Sequence, residues 1–138
     1  MRKRRSSALR PQVERRIARA RPVEDALDTL VIEIQRLAIE NEDLLRTMLR
    51  LSLNRKLATQ PDGRVRGTQR VEWIESAVSP LRKQLPKREF DRLISALAVC
   101  IGIEALTVLR DVGGVTGRKS IAVTRWTAKA ILHAAVRR

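Results

Sequence analysis

Apolar residues return at three- and four-residue intervals along most of the chain, and no stretch alternates convincingly with the period of a strand. The pattern predicts helices. Val23, Ala26, Leu27, Leu30, Val31, Ile34, Leu37 and Ala38 form the stripe of a first helix, opened by Pro22, Glu24 and Asp25 and running to about Glu40. Carboxylates in its first turn complement the helix dipole. Asn41, followed by Glu42 and Asp43, reads as the N-cap of a second helix with a broad apolar surface through Leu44, Leu45, Met48, Leu49, Leu51, Ser52, Leu53 and Leu57. The segment 59–67, with Pro61, Asp62, Gly63 and Gly67, is the clearest loop.

A third helix begins near Thr68 and presents Val71, Ile74, Ala77, Val78, Leu81 and Leu85, with Pro80 expected to kink or split it, or to cap a short new helix with Ser79. Pro86 opens a long central helix that Gly113, Gly114 and Gly117 end. Within it, Phe90 to Val112 is apolar on every side: Leu93, Leu97, Ile101, Glu104 and Val108 make one stripe, and Ala96, Val99, Ile103 and Leu106 another. Such a helix does not lie on a surface. It is the centre of the core, or another chain covers its second face. A last helix spans Thr116 to Arg138 and is rich in alanine, which lets helix axes approach closely.

The expected fold is therefore all-α, a bundle of about five to six helices in one domain. Two-faced apolarity in the central helix and small residues over more than one side of the last favour a homodimer. Both helices of each subunit would then meet their mates in a four-helix bundle. Ile103, Leu106, Arg110, Ala122, Trp126, Ala130 and Ala134 are the candidate interface residues. The alternative is a monomer whose remaining helices wrap both faces.

Charge divides the chain of 138 residues, whose formal net charge is +14. Residues 1–22 hold nine Arg or Lys against Glu14 alone, a net +8, while the other 116 residues carry 20 basic and 14 acidic side chains, a net +6. The domain organisation expected is a basic arm over 1–22 and a helical domain over 23–138. Arg2, Lys3, Arg4 and Arg5 are candidates for contact with nucleic acid, which through the arm alone would be nonspecific and weakened by salt. A solvated tail is the plainer reading of the same composition. Arg118, Lys119, Arg125 and Lys129 on the last helix are a further basic set. No apolar signal segment follows the basic start and no apolar run approaches the roughly 20 residues of a membrane span, so a soluble, cytoplasmic protein with no membrane partner is expected. A single cysteine, Cys100, suits a reducing compartment and an inert core thiol.

Catalytic constellations are not legible. His133 is the sole histidine, and no GxGxxG, Walker loop or GxSxG occurs, so neither an enzyme, a cofactor nor a metal site is expected. Glu33, Glu40, Glu42 and Asp43 read as helix caps and solvated faces, and Arg110 with Asp111 as a helix end, Arg110 having a second reading as counter-charge to a ligand or partner. Glu104 stands apart, because an ionised carboxylate among apolar residues costs several kcal/mol without a partner. That partner is expected from another helix, another subunit or a ligand. Two readings follow: a structural carboxylate tied to a neighbouring helix, or the polar anchor of an apolar pocket. Met48, Ser52, Trp73 and Thr107 are the other candidate pocket residues, although Met48 and Trp73 also suit a plain core.

The segments ENEDLLRTMLRLSL (Glu40 to Leu53), RVEWIESAVSPLRKQLP (Arg70 to Pro86), ALAVCIGIEALTVLRDVGG (Ala96 to Gly114) and TRWTAKAIL (Thr124 to Leu132) together resemble the C-terminal domain of TetR/AcrR-type transcriptional regulators. The resemblance covers about residues 23–137. It implies an all-helical domain that holds a small hydrophobic effector and dimerises through its last two helices. Similar regulators begin with a three-helix DNA-reading unit of about fifty residues, for which residues 1–22 are too few. A late start, a truncated gene and a stand-alone module are the alternatives. TGRKS, Thr116 to Ser120, also departs from the acidic start that similar last helices tend to have. A structural adaptor without a ligand and a nucleic-acid binder acting through the arm are the competing functions.

Overall fold

A computed structural model of the chain describes residues 22–53 and 68–137, and every element among them is helical. The elements are α1 (residues 22–40), α2 (Glu42–Leu53), α3 (Thr68–Val78), a 3-10 turn (Ser79–Lys83), α4 (Lys87–Cys100), α5 (Ile103–Asp111) and α6 (Gly117–Val136). The basic arm, Arg2, Lys3, Arg4 and Arg5 included, and the 59–67 loop lie outside the described residues, as does Leu57.

Pro80 does what its missing N–H dictates: α3 stops at Val78 and the chain tightens into the 3-10 turn, with Leu81 still buried. Leu81 then fills the core beside Ile74 and Val78 from α3 and Phe90, Leu93, Ile94 and Leu97 from α4. Val23, Leu27 and Val31 of α1 and Ala128, Leu132 and Val136 of α6 complete one contiguous cluster. In α6 the buried positions Ser120, Thr124, Ala128, Leu132 and Val136 recur every fourth residue. Arg82 stacks its guanidinium 4.6 Å from the Phe90 ring centroid, closing one end of the core.

The expected continuous central helix is two helices. Ile101 is extended and Gly102 takes φ 113°, so the chain bends by 49° between α4 and α5. That φ lies in a region that side-chain-bearing residues rarely enter, and a Cβ on Gly102 would run into the guanidinium of Arg70. The bend dissolves both predicted stripes. Leu93, Leu97 and Ile101 are buried, whereas Val99 and Val108 are exposed. It also relocates Glu104 from the middle of a long apolar helix to the first turn of a short one, where the dipole favours a carboxylate.

No single helix among the described residues is long and apolar enough to cross a membrane. Taken together, α4 and α5 have the length and apolar content of a broken span, but the apolar face of α4 is part of the core just described.

Candidate functional site

The α4–α5 break is where buried polar contacts meet. Breaking a helix strands carbonyls at one end and N–H groups at the other, and both must find partners. Arg70, from the first turn of α3, donates Nη1 to the Ile101 carbonyl at 2.7 Å. Gln35, fully buried on α1, accepts the Gly102 N–H at 2.7 Å through Oε1 and turns Nε2 toward Thr124 Oγ1 of α6 at 3.4 Å. Thr124 in turn donates to the Ser120 carbonyl at 3.0 Å. One buried amide therefore links α1, α6 and the start of α5.

Glu104 finds its partner on another helix of the same chain. Arg70 meets it two-pronged, Nη1 to Oε1 at 2.6 Å and Nη2 to Oε2 at 3.0 Å. Less than a third of either side chain is exposed, so solvent screens the pair only partly. Arg70 Nε is buried and has no acceptor among the described residues. An unmet buried donor of this kind costs about 1–3 kcal/mol.

The same pair stands in the wall of a cleft of about 560 Å³ between α1, α2, α3 and the start of α5. Ile34, Leu37 and Ala38 line it from α1, Leu45, Met48, Leu49, Leu51 and Ser52 from α2, Arg70 and Trp73 from α3, and Gly102, Ile103 and Glu104 from the break. Hollows of this size with apolar walls and few polar groups suit small organic molecules. Of the wall's polar side chains, Ser52 spends its hydroxyl proton on the Leu49 carbonyl at 2.8 Å, and Arg70 and Glu104 are paired.

Four of the five candidate pocket residues, Met48, Ser52, Trp73 and Glu104, thus line one cleft. Thr107 does not. It donates back to the Glu104 carbonyl at 2.8 Å, one turn earlier in α5. Arg70, Gln35 and Gly102 are the contributors that sequence reasoning missed. A signal was present: Arg70 is four residues from Ile74 and eight from Val78, and Gln35 continues the Leu27–Val31 spacing, so both polar side chains ride on core stripes.

The candidate interface residues divide. Ala122, Trp126, Ala130 and Ala134 are all exposed, spaced by four along the side of α6 away from its buried stripe, and Trp126 is 72 % exposed. Val123 on α6, Val108 on α5 and Val112 just after it add apolar exposure, Val112 at 82 %. Leu106, by contrast, is buried within the chain, because the bend at Gly102 rotates it inward, and Ile103 lines the cleft. Arg110 is exposed and pairs with Glu42 of α2.

Ion pairs fasten the periphery. Arg46 joins its own helix to α5, with Nε on Glu42 at 2.8 Å and a two-pronged contact to Asp111 at 2.8 and 3.0 Å. Arg46 holds Asp111 below the usual carboxylate range, and the two carboxylates raise Arg46 in return. Arg125 grips Asp28 of α1 with both contacts at 2.8 Å and lowers its pKa, while Lys129 stands 4.0 Å from the same carboxylate. His133 Nε2 lies 3.1 Å from Glu24. Two of the four basic residues of α6, Arg125 and Lys129, are therefore turned to α1, while Arg118 and Lys119 are exposed in its first turn. Burial pushes the Cys100 thiol up, which keeps it protonated and unreactive at neutral pH. Among the described residues no three of His, Cys, Asp and Glu come together to hold a metal ion.

Comparison with protein-family models, with curated proteins and with solved structures finds no match.

Proposed function

We propose that this chain is the effector-sensing and dimerisation domain of a TetR-like transcriptional regulator. A small lipophilic molecule occupies the cleft walled by α1, α2, α3 and the start of α5, and two copies associate through the exposed apolar side of α5 and α6. The cleft carries the reading: among the described residues its walls are apolar apart from Ser52 and the Arg70–Glu104 pair, and its size suits a small organic ligand. Trp126, Val108, Val112 and Val123 support the dimer, because each leaves a large apolar side chain in water on α5, just after it or on α6. Regulation of transcription rests on the resemblance of residues 23–137. Operator reading is assigned to a helix-turn-helix head outside these 138 residues, and any contact of this chain with DNA to the arm.

Thermal denaturation with a panel of uncharged lipophiles tests the ligand. A compound that binds only the folded state and is present at about 100 times its Kd stabilises by about 2.7 kcal/mol. A panel without any stabilising compound would leave a helical adaptor as the better description. Sedimentation at micromolar concentration tests the association: the expected species has twice the chain mass, and Trp126→Glu returns it to a monomer. A basic-arm nucleic-acid binder would instead hold duplex DNA nonspecifically, with affinity falling steeply as salt rises.

A further inference from the structure

The cleft continues past Trp73. A second apolar groove of about 450 Å³ lies between α1 and α3, with Ala26, Thr29, Leu30 and Ala77 in its wall, and it shares Ile34, Leu37 and Trp73 with the cleft. Three common wall residues make these adjoining hollows that meet at the indole. Trp73 is 42 % exposed, so its ring is not locked into the core and can turn on the fast timescale of surface side chains.

The chemistry of the combined channel is lopsided. The cleft has the Arg70–Glu104 pair in its wall, and the Arg70 charge is already met two-pronged by Glu104. An anionic head would have to displace Glu104 to gain that charge, whereas an uncharged oxygen can lie against the pair without breaking it. Beyond Trp73 the wall is mostly Ala26, Leu30, Ile34 and Ala77, which offer methyl and methylene contacts, and its polar members Thr29, Glu33 and Ser76 are all exposed.

We propose that cleft and groove together hold one elongated, uncharged amphiphile, an oxygen-bearing head beside Arg70 and an alkyl chain running past Trp73 between α1 and α3. The proposal rests on the ligand-sensing reading above and narrows it to long-chain alcohols, amides and esters.

Calorimetric titration of the full chain with primary n-alkanols of increasing length, with n-alkanoates of matched length and with naphthalene tests it. Affinity for the alkanols rises about fourfold per added methylene until the groove is filled. Alkanoates of the same length bind about tenfold more weakly or worse. Thr29→Trp, an exposed position on α1 in the wall of the groove only, leaves short alkanols and naphthalene bound as before and moves the plateau to shorter chains. An unmoved plateau in that variant overturns the shared channel, and tighter binding of alkanoates overturns the uncharged head. Naphthalene binding without any length dependence among alkanols also overturns the channel while leaving the lipophile-sensing reading in place. Binding of none of the three series overturns both.

Discussion

The two sides of this domain are built on different physics. The side made by α1, α3, α4 and α6 is a close-packed core in which Leu27, Val31, Ile74, Val78, Phe90, Leu97 and Leu132 are sealed from water. The side made by α2 and α5 is almost hollow: α2 buries no residue at all, and α5 buries Leu106 alone. There the helices are joined by Arg46, Glu42, Asp111 and Arg110 at one end and by Arg70 with Glu104 at the other. Dispersion and hydrophobic burial hold the first side, where adding or removing a methylene is felt. Ion pairs hold the second and leave the space between them open.

The contrast predicts a steep difference in mutational cost. In chemical denaturation, Phe90→Ala should lose about 3–5 kcal/mol and Ile74→Ala about 2–5 kcal/mol. Met48→Ala and Leu44→Ala, both exposed on α2, should stay within about 0.5 kcal/mol. Equal losses on the two sides would remove the distinction.

Gly102→Ala comes next, because it strikes the junction of the two regions. It forces a Cβ into a backbone conformation reserved for glycine and against Arg70, at a cost of about 1–3 kcal/mol. The loss should be smaller in an Arg70→Ala background, where the guanidinium no longer obstructs, and a double-mutant cycle measures the difference.

Arg70→Leu should cost about 1–3 kcal/mol, since it removes a donor to the Ile101 carbonyl and the two-pronged contact to Glu104 together. If the pair belongs to the cleft as well as to the bend, the same change alters ligand affinity by more than it alters stability. If it serves the bend alone, a bound lipophile shifts the melting temperature of the variant as much as that of the unaltered protein.

The smallest effect is the acid limb. Asp28 titrates below its ordinary 3.8 because Arg125 bonds its carboxylate, so its tie between α1 and α6 is fully present above that value and fades as pH falls through the lowered pKa. Asp28→Asn should flatten the loss of stability in that window and leave stability near neutral pH slightly reduced. Asp111 follows the same rule on the open side.

Much of the frame was legible as spacing and punctuation. Pro80 split α3 from the 3-10 turn, Asn41 separated α1 from α2, and the Gly113 to Gly117 stretch separated α5 from α6. Met48, Ser52, Trp73 and Glu104 share one cleft wall, and an apolar environment with a sparse polar complement is a sequence-level property. Gly102 was not read as a break, since one glycine inside a helical pattern costs only about 1 kcal/mol and periodicity runs straight through it. Leu106 points outward on an uninterrupted helix and is buried here for the same reason, because the chain turns by 49° between α4 and α5.

Sequence by itself determined that the chain is helical, where most helices start and stop, and that Glu104 must have a counterpart, because propensity, capping and the aversion of charge to apolar surroundings act locally. Only the tertiary structure decided which counterpart. Arg70 is 34 positions away from Glu104, and Gln35 is 67 positions away from Gly102. A helix break becomes affordable only when distant side chains arrive to satisfy its stranded backbone groups, and their arrival is set by how the helices pack together, which no local pattern encodes.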